Sequence, residues 1–155
     1  MKIFVIICAA GTGERFNNNT SPKQFLNLNN KSVLEHSIDK FLNSSLIDRI
    51  IIASNPDHNI HLNAIKERYI DTNKIDIIQG GNTRIESVFN CLRHIEKSNP
   101  DFVFVHDAAR PNFHTKLIKE LVEAIEGFDC AIPVSRISDT IKKINNSTIN
   151  TLDRS

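Results

Sequence analysis

The stretch "CAAGTGERFNNNTSPKQF", residues 8–25, leaves an apolar run through Gly11 and Gly13 and then places Arg15 and Lys23 on either side of an asparagine-rich span. Glycine backbone can approach an anion closely and aim N–H groups at it, while Arg and Lys supply positive charge without needing a nearby base. These are the residue types a triphosphate requires. Two familiar phosphate loops fail on spacing. A Walker A loop needs Gly-Lys-Ser/Thr together, whereas Lys23 lies well beyond Gly13 and follows Pro22. A dinucleotide fingerprint needs a third glycine where Phe16 stands, and an acid at the end of the second strand, which finishes Ala53-Ser54. Taken alone, the stretch reads equally as a strand-to-helix turn carrying two solvated cations.

Two further segments carry chemistry. "GGNTRIES", from Gly80, offers bare backbone beside a helix start, suited to close packing against a flat base or ribose; the alternative is a simple tight turn with Arg84 on the helix surface. "VHDAARP" sets Asp107 at the end of a buried strand, where a carboxylate wants a cation, a metal or a ligand hydroxyl, and Arg110 is available as a structural partner. The histidines offer less. His58 and His61 have no third ligand spaced with them and no HExxH frame, and His36 and His106 read as packing residues. Cys8, Cys91 and Cys130 are few, odd in number and without CxxC spacing, so they imply neither a disulfide framework nor a zinc site; Cys8 reads as a small buried hydrophobe.

The elements that must position these residues alternate. "KIFVIICAA" is a continuous β-branched run bounded by glycine, the pattern of a strand covered on both faces. Ser32 and Glu35 have capping-box spacing before the stripe Leu34, Ile38, Phe41 and Leu42. Strands follow at "DRIIIAS", "KIDIIQ", "DFVFVHD" and "DCAIPV", separated by helices marked by Leu62, Ile65 and Tyr69, by Ile85, Val88, Phe89, Leu92 and Ile95, and by Leu117 to Ile125 with a stop at Gly127. Strands spaced by amphipathic helices require crossovers that cover a parallel sheet, so the fold class is α/β with helices on both faces. "DTIKKINNSTINTLDRS" instead alternates polar and apolar residues around Asn145-Asn146, as an antiparallel hairpin standing off the sheet would. At 155 residues a single domain, 1–155, with residues 135–155 as an arm, is expected. A net charge of +1 gives no global field to draw nucleic acid or a membrane surface. The apolar runs are of strand length and no signal peptide is seen, so a reducing cytoplasm is expected.

Taken together, "AAGTGERF…SPKQFL", "GGNTRIESV", "VHDAARP", "SDTIKK" and "TLDRS" stand in the order and at about the spacing of one family. The chain resembles 2-C-methyl-D-erythritol 4-phosphate cytidylyltransferases of the non-mevalonate isoprenoid pathway. The resemblance implies a Rossmann-like nucleotidyltransferase fold, a homodimer built through the arm, and Mg²⁺-dependent transfer of CMP from CTP to the sugar phosphate. By position it implies that Arg15, Lys23 and Arg154 are catalytic. Ala9, Ala10, Gly11, Gly13, Gly80, Gly81, Asn82 and Ser87 would hold CTP. Asp107, Arg110, Thr140 and Lys142 would hold the polyol phosphate, with Thr140 and Arg154 reaching the neighbouring subunit's site. It assigns no metal ligands. The chain departs from the family at Cys8, where proline is common, and at Asn82, where an acid is usual. It also ends before the family's further helix and strand, so it is expected to be C-terminally incomplete. Two alternatives stand beside this reading: a ribitol 5-phosphate cytidylyltransferase, which tends to carry HDAVRP where this chain has "HDAARP", and a noncatalytic CTP-binding or dimerisation fragment.

Overall fold

β-Branched and aromatic residues without a polar break make Ile3–Ala9 a strand, β1, buried from Ile3 to Ile7. The structure is a computed structural model that describes residues 1–12, 21–136, 138–145 and 148–152. Beyond β1, a two-residue ladder pairs β2 (Asn27–Leu28) with β3 (Lys31–Ser32). Asn29 and Asn30 make its turn, with the left-handed φ values of 51° and 66° that such a tight hairpin demands. Helix α1 (Val33–Leu42) then starts on the expected capping box: Glu35 N–H donates to Ser32 Oγ at 3.3 Å and Ser32 N–H donates to Glu35 Oε2 at 2.6 Å. The alternation continues through β4 (Arg49–Ser54), α2 (Asn59–Arg68), β5 (Ile75–Gln79), α3 (Arg84–Ile95), β6 (Phe102–Asp107) and α4 (Lys116–Ala124).

The main sheet runs β5-β4-β1-β6 with every neighbouring pair parallel. From β1 the chain steps outward to β4 and β5, and α3 then carries it back to the far side of β1. The strand order therefore reverses between β1 and β6, and the crevice outside their carboxyl ends is where open α/β sheets take ligands. Helices cover both faces. Phe4, Ile6, Ile51 and Ala53 pack with Cys91 and Ile95 of α3. Residues of the other parity face α1, as His106 shows by meeting the Phe41 ring edge-on at 5.1 Å.

The chain divides into two compact units, Met1–Lys119 and Glu120–Ser155. In the second, Gly127 takes φ +79° three residues past α4, as a helix stop requires. Strands β7 (Lys142–Asn145) and β8 (Thr148–Thr151) pair antiparallel, with Ile144 opposite Ile149, so the expected hairpin is present. "DCAIPV" differs from expectation. It forms no strand, and Ile132 and Val134 are 75% and 90% exposed. Its apolar residues have the propensity for a strand, but a strand needs a ladder partner, and none of the described residues pairs with it.

Candidate active site

The parallel register brings the chemistry-bearing loops to one end of the sheet. Cys8 lies opposite Asp107, and Ala9 lies opposite Ser54, which in turn pairs with Gln79 just before the two glycines. Backbone bonds continue the ladder into the loops: Gly80 N–H donates to Ser54 O at 2.9 Å, and Ala108 N–H donates to Cys8 O at 3.2 Å.

Gly80 and Gly81 are required for space. A Cβ on Gly80 would stand 2.7 Å from Ala10 Cβ and 2.9 Å from Ser87 Oγ, and one on Gly81 would overlap Glu86 Cβ. The space on the Cβ side of both glycines is thus filled by the protein's own side chains. Gly11 differs, since no described atom lies within 4 Å of the position its Cβ would take. Ser87, 2% exposed, ties this loop together: its Oγ accepts from Gly81 N–H at 3.0 Å and donates to Thr83 O at 2.9 Å. Thr83 and Glu86 form a second capping box, with Glu86 N–H donating to Thr83 Oγ1 at 3.1 Å. Glu86 Oε2 also accepts from the Asn82 N–H at 2.8 Å, so Asn82 enters the site as backbone held by this box.

That second box sets the start of α3 at Arg84. Instead of lying idle on the helix surface, Arg84 Nε reaches Asp107 Oδ1 at 3.0 Å, while Arg110 Nε meets Asp107 Oδ2 at 3.2 Å. Both carboxylate oxygens are engaged, and two guanidinium groups around one carboxylate leave an excess of positive charge at the mouth of the crevice. The hydrogen bond from Arg84 to Asp107 holds that guanidinium's pKa above its ordinary value. Burial pushes the Cys8 thiol up, so it stays a neutral packing group despite the nearby arginine. His106 turns inward against Phe41 and Phe113, and burial lowers its pKa, so it is a neutral core ring, as expected.

Lys23 opens a short 3-10 turn, Lys23–Phe25, and is exposed, whereas its neighbour Gln24 is 3% exposed. The Gln24 Nε2 amide donates to Ala9 O at 2.9 Å and to Gly11 O at 2.8 Å. The turn bearing Lys23 is therefore fastened to the glycine turn by one side chain. Ala9, Ala10, Gly11, Gly80, Gly81, Ser87, Asp107 and Arg110 meet at this end of the sheet, with Lys23 tethered to it. Gly13, Arg15 and Arg154 lie outside the described residues. Thr140 and Lys142 belong to the second unit, where Lys142 Nζ donates to Thr151 Oγ1 at 2.5 Å.

Sequence reasoning missed Arg84 and Gln24. The spacing Thr83-x-x-Glu86 could have located Arg84 at a helix start, but its partner Asp107 is distant in the chain. No pattern in "SPKQF" reveals that the glutamine is buried. Among the described residues no group of three or more His, Cys, Asp or Glu side chains could hold a metal ion, and no helix is long and apolar enough to cross a membrane.

Comparison with known proteins agrees with this geometry. The sequence model of the family described as IspD, 2-C-methyl-D-erythritol 4-phosphate cytidylyltransferase, matches residues 3–155. The bifunctional enzyme IspD/IspF of Pelagibacter ubique is 42% identical over 146 residues, which are 94% of this chain and 38% of that protein. The 2-C-methyl-D-erythritol 4-phosphate cytidylyltransferase of Petrotoga mobilis is 38% identical over 156 residues, covering 99% of this chain and 67% of that enzyme. The crystal structure of the Francisella tularensis 2-C-methyl-D-erythritol 4-phosphate cytidylyltransferase superposes with a TM-score of 0.73 at 32% identity, over all of this chain and 67% of that one. The chain thus spans under two-fifths of its bifunctional relative and about two-thirds of the monofunctional ones. The match across residues 3–155, the shared α/β architecture and the loops gathered at the β1–β6 crevice lead to one conclusion: the chain belongs to the 2-C-methyl-D-erythritol 4-phosphate cytidylyltransferase (IspD) family.

Proposed function

We propose that the protein transfers CMP from CTP to 2-C-methyl-D-erythritol 4-phosphate, releasing pyrophosphate. The observation that carries this reading is the convergence of the glycine turn, the Gly80-Gly81 loop and the Arg84–Asp107–Arg110 cluster at the switch point of a sheet whose family match runs through all three. The chemistry fits these groups. A phosphate monoester has its second pKa at about 6, so near neutral pH its oxygen attacks the α-phosphorus without a dedicated base. A new O–P bond forms, the bond from the α-phosphorus to the bridging oxygen breaks, and pyrophosphate leaves with the electron pair. The main task is to bring anions together and neutralise charge in the in-line transition state, which suits Arg15, Lys23 and Arg154. Bare backbone at Gly11 lets CTP approach closely, with Gly13, Asn82 and the Ser87-held loop around it. Asp107, Arg110 and Lys142 address the polyol phosphate, and Thr140 and Arg154 reach it from the arm of a second copy, in a homodimer working in the cytoplasm.

Magnesium belongs to this reading as the counter-ion that CTP brings with it. The acids described at this end of the sheet are already engaged, Asp107 by two arginines and Glu86 by backbone N–H groups of its capping box, which is a poor start for a protein-built metal cage.

The test is pyrophosphate release from CTP with 2-C-methyl-D-erythritol 4-phosphate, with ribitol 5-phosphate as the competing acceptor. A preference for ribitol phosphate, or CTP binding without release, would overturn the assignment. Deleting residues 139–155 should yield a monomer, and a surviving dimer would remove the arm from the assembly.

A further inference from the structure

We propose that Gln24 is a positioning residue for the nucleotide's phosphates, acting as a two-carbonyl clamp that sets both the glycine turn and the turn carrying Lys23. This inference rests on the CTP reading above and assigns a role to a residue outside the motif's charged and glycine positions. Gln24 is 3% exposed, and burying an amide is unfavourable unless its donors are used. Both bonds from Nε2 go to the same short segment, to Ala9 O at 2.9 Å and Gly11 O at 2.8 Å. These carbonyls bracket Ala10, where β1 has ended and no neighbouring strand dictates the backbone.

Peptide planarity turns those two bonds into control of the turn. In a trans peptide the C=O and the following N–H point in opposite directions, so fixing Ala9 O toward Gln24 turns the Ala10 N–H away from it. The same holds for the plane of the Gly11–Thr12 peptide. A carbonyl freed to rotate toward an incoming triphosphate would instead present a negative dipole to it. From the other side, the turn is buttressed by Gly80, whose missing Cβ lets Ala10 come close. Lys23 is bonded directly to Gln24, and its turn is closed by the Phe25 N–H donating to Pro22 O at 2.9 Å. The position of the exposed cation is therefore tied to the position of the glycine backbone through one buried amide.

Three variants test the clamp. Gln24→Met keeps the volume and removes both donors. Gln24→Glu keeps the shape and, when ionised, faces two carbonyl oxygens with a third anionic acceptor; protonation restores one donor, and burial among acceptors favours that protonated form. Phe25→Leu loosens the same turn, where Phe25 stacks on His61 at 4.6 Å, without touching the clamp. The readouts are the dissociation constants of CTP and of cytidine for the full chain, together with thermal unfolding. Gln24→Met should weaken CTP by about tenfold or more, the worth of one well-aligned N–H bond to a charged phosphate, with cytidine little changed. Gln24→Glu should regain CTP affinity relative to wild type as pH is lowered from 8 to 6. Phe25→Leu should lose stability with a much smaller change in CTP affinity.

Equal losses of CTP and cytidine in Gln24→Met, or a Phe25→Leu loss as large as that of Gln24→Met, would make Gln24 merely structural. A flat pH ratio for Gln24→Glu would also reject the clamp, and wild-type CTP affinity in Gln24→Met would end it outright while leaving the CTP reading intact. Failure of the wild-type chain to bind CTP would overturn both.

Discussion

Replacing Gly80 by alanine tests whether the approach of two loops, and not backbone freedom, is the reason for glycine. The new Cβ would stand 2.7 Å from Ala10 Cβ and 2.9 Å from Ser87 Oγ. Carbon–carbon contacts are comfortable at about 3.5–4.0 Å, so one loop must yield by about 1 Å. Overpacking of this kind costs about 1–3 kcal/mol. The φ of Gly80 lies outside the left-handed range, so alanine also restricts the unfolded chain, offsetting about 0.4–1 kcal/mol. A net loss of about 1–2 kcal/mol is expected in urea unfolding. Because the displaced neighbour is Ala10, CTP affinity should fall as well. Ala10→Gly removes the first clash, so the double variant should be more stable than the sum of the single changes predicts. A coupling under about 0.5 kcal/mol in that cycle would refute the packing argument. Gly11→Ala is the counterpart: with no described atom within 4 Å of its Cβ position, it should leave unfolding nearly unchanged while weakening CTP binding.

Ser37 on α1 is fully buried and its Oγ has no hydrogen-bond partner among the described residues, so Ser37→Ala should raise stability by about 1 kcal/mol in denaturant unfolding; a loss would reveal a partner for the hydroxyl. His106 has its folded pKa lowered by burial, with Asp107 opposing weakly, so in the window just below its ordinary 6.5 the unfolded chain binds a proton that the native state does not. Stability should therefore fall as pH drops through about 6.5, and His106→Phe should flatten that part of the profile; an unchanged slope would assign the acid sensitivity elsewhere. Thiol labelling should rank the cysteines: exposed Cys130 first, half-buried Cys8 later, and Cys91, buried with its pKa pushed up to about 12, only on unfolding. Rapid labelling of Cys91 in the native protein would contradict its place on the buried face of α3.

Local pattern was enough for much of this molecule. Unbroken apolar runs specified β1 and β4, because a strand buried on both faces tolerates few polar residues, while shorter β-branched and aromatic runs marked the half-buried strands β5 and β6. Ser32 with Glu35 marked the start of α1, since a capping box is a contact between residues three apart, and Gly127 marked a stop because few other residues accept its φ. The order and spacing of the charged and glycine motifs were likewise enough to point to the family. What the sequence left undecided was whatever depended on a distant partner. The apolar run "DCAIPV" lacks a ladder among the described residues and stays irregular, although its composition favours a strand. Arg84 reaches Asp107 only because α3 returns the chain across the sheet to place β6 beside β1. Gly80 and Gly81 proved necessary for contacts with Ala10, Ser87 and Glu86, and Gln24 became a clamp because folding removed its amide from water beside two carbonyls. Periodicity and caps are local, so a chain can state them residue by residue; burial, clashes and ion pairs exist only between segments, and only the assembled sheet determines them.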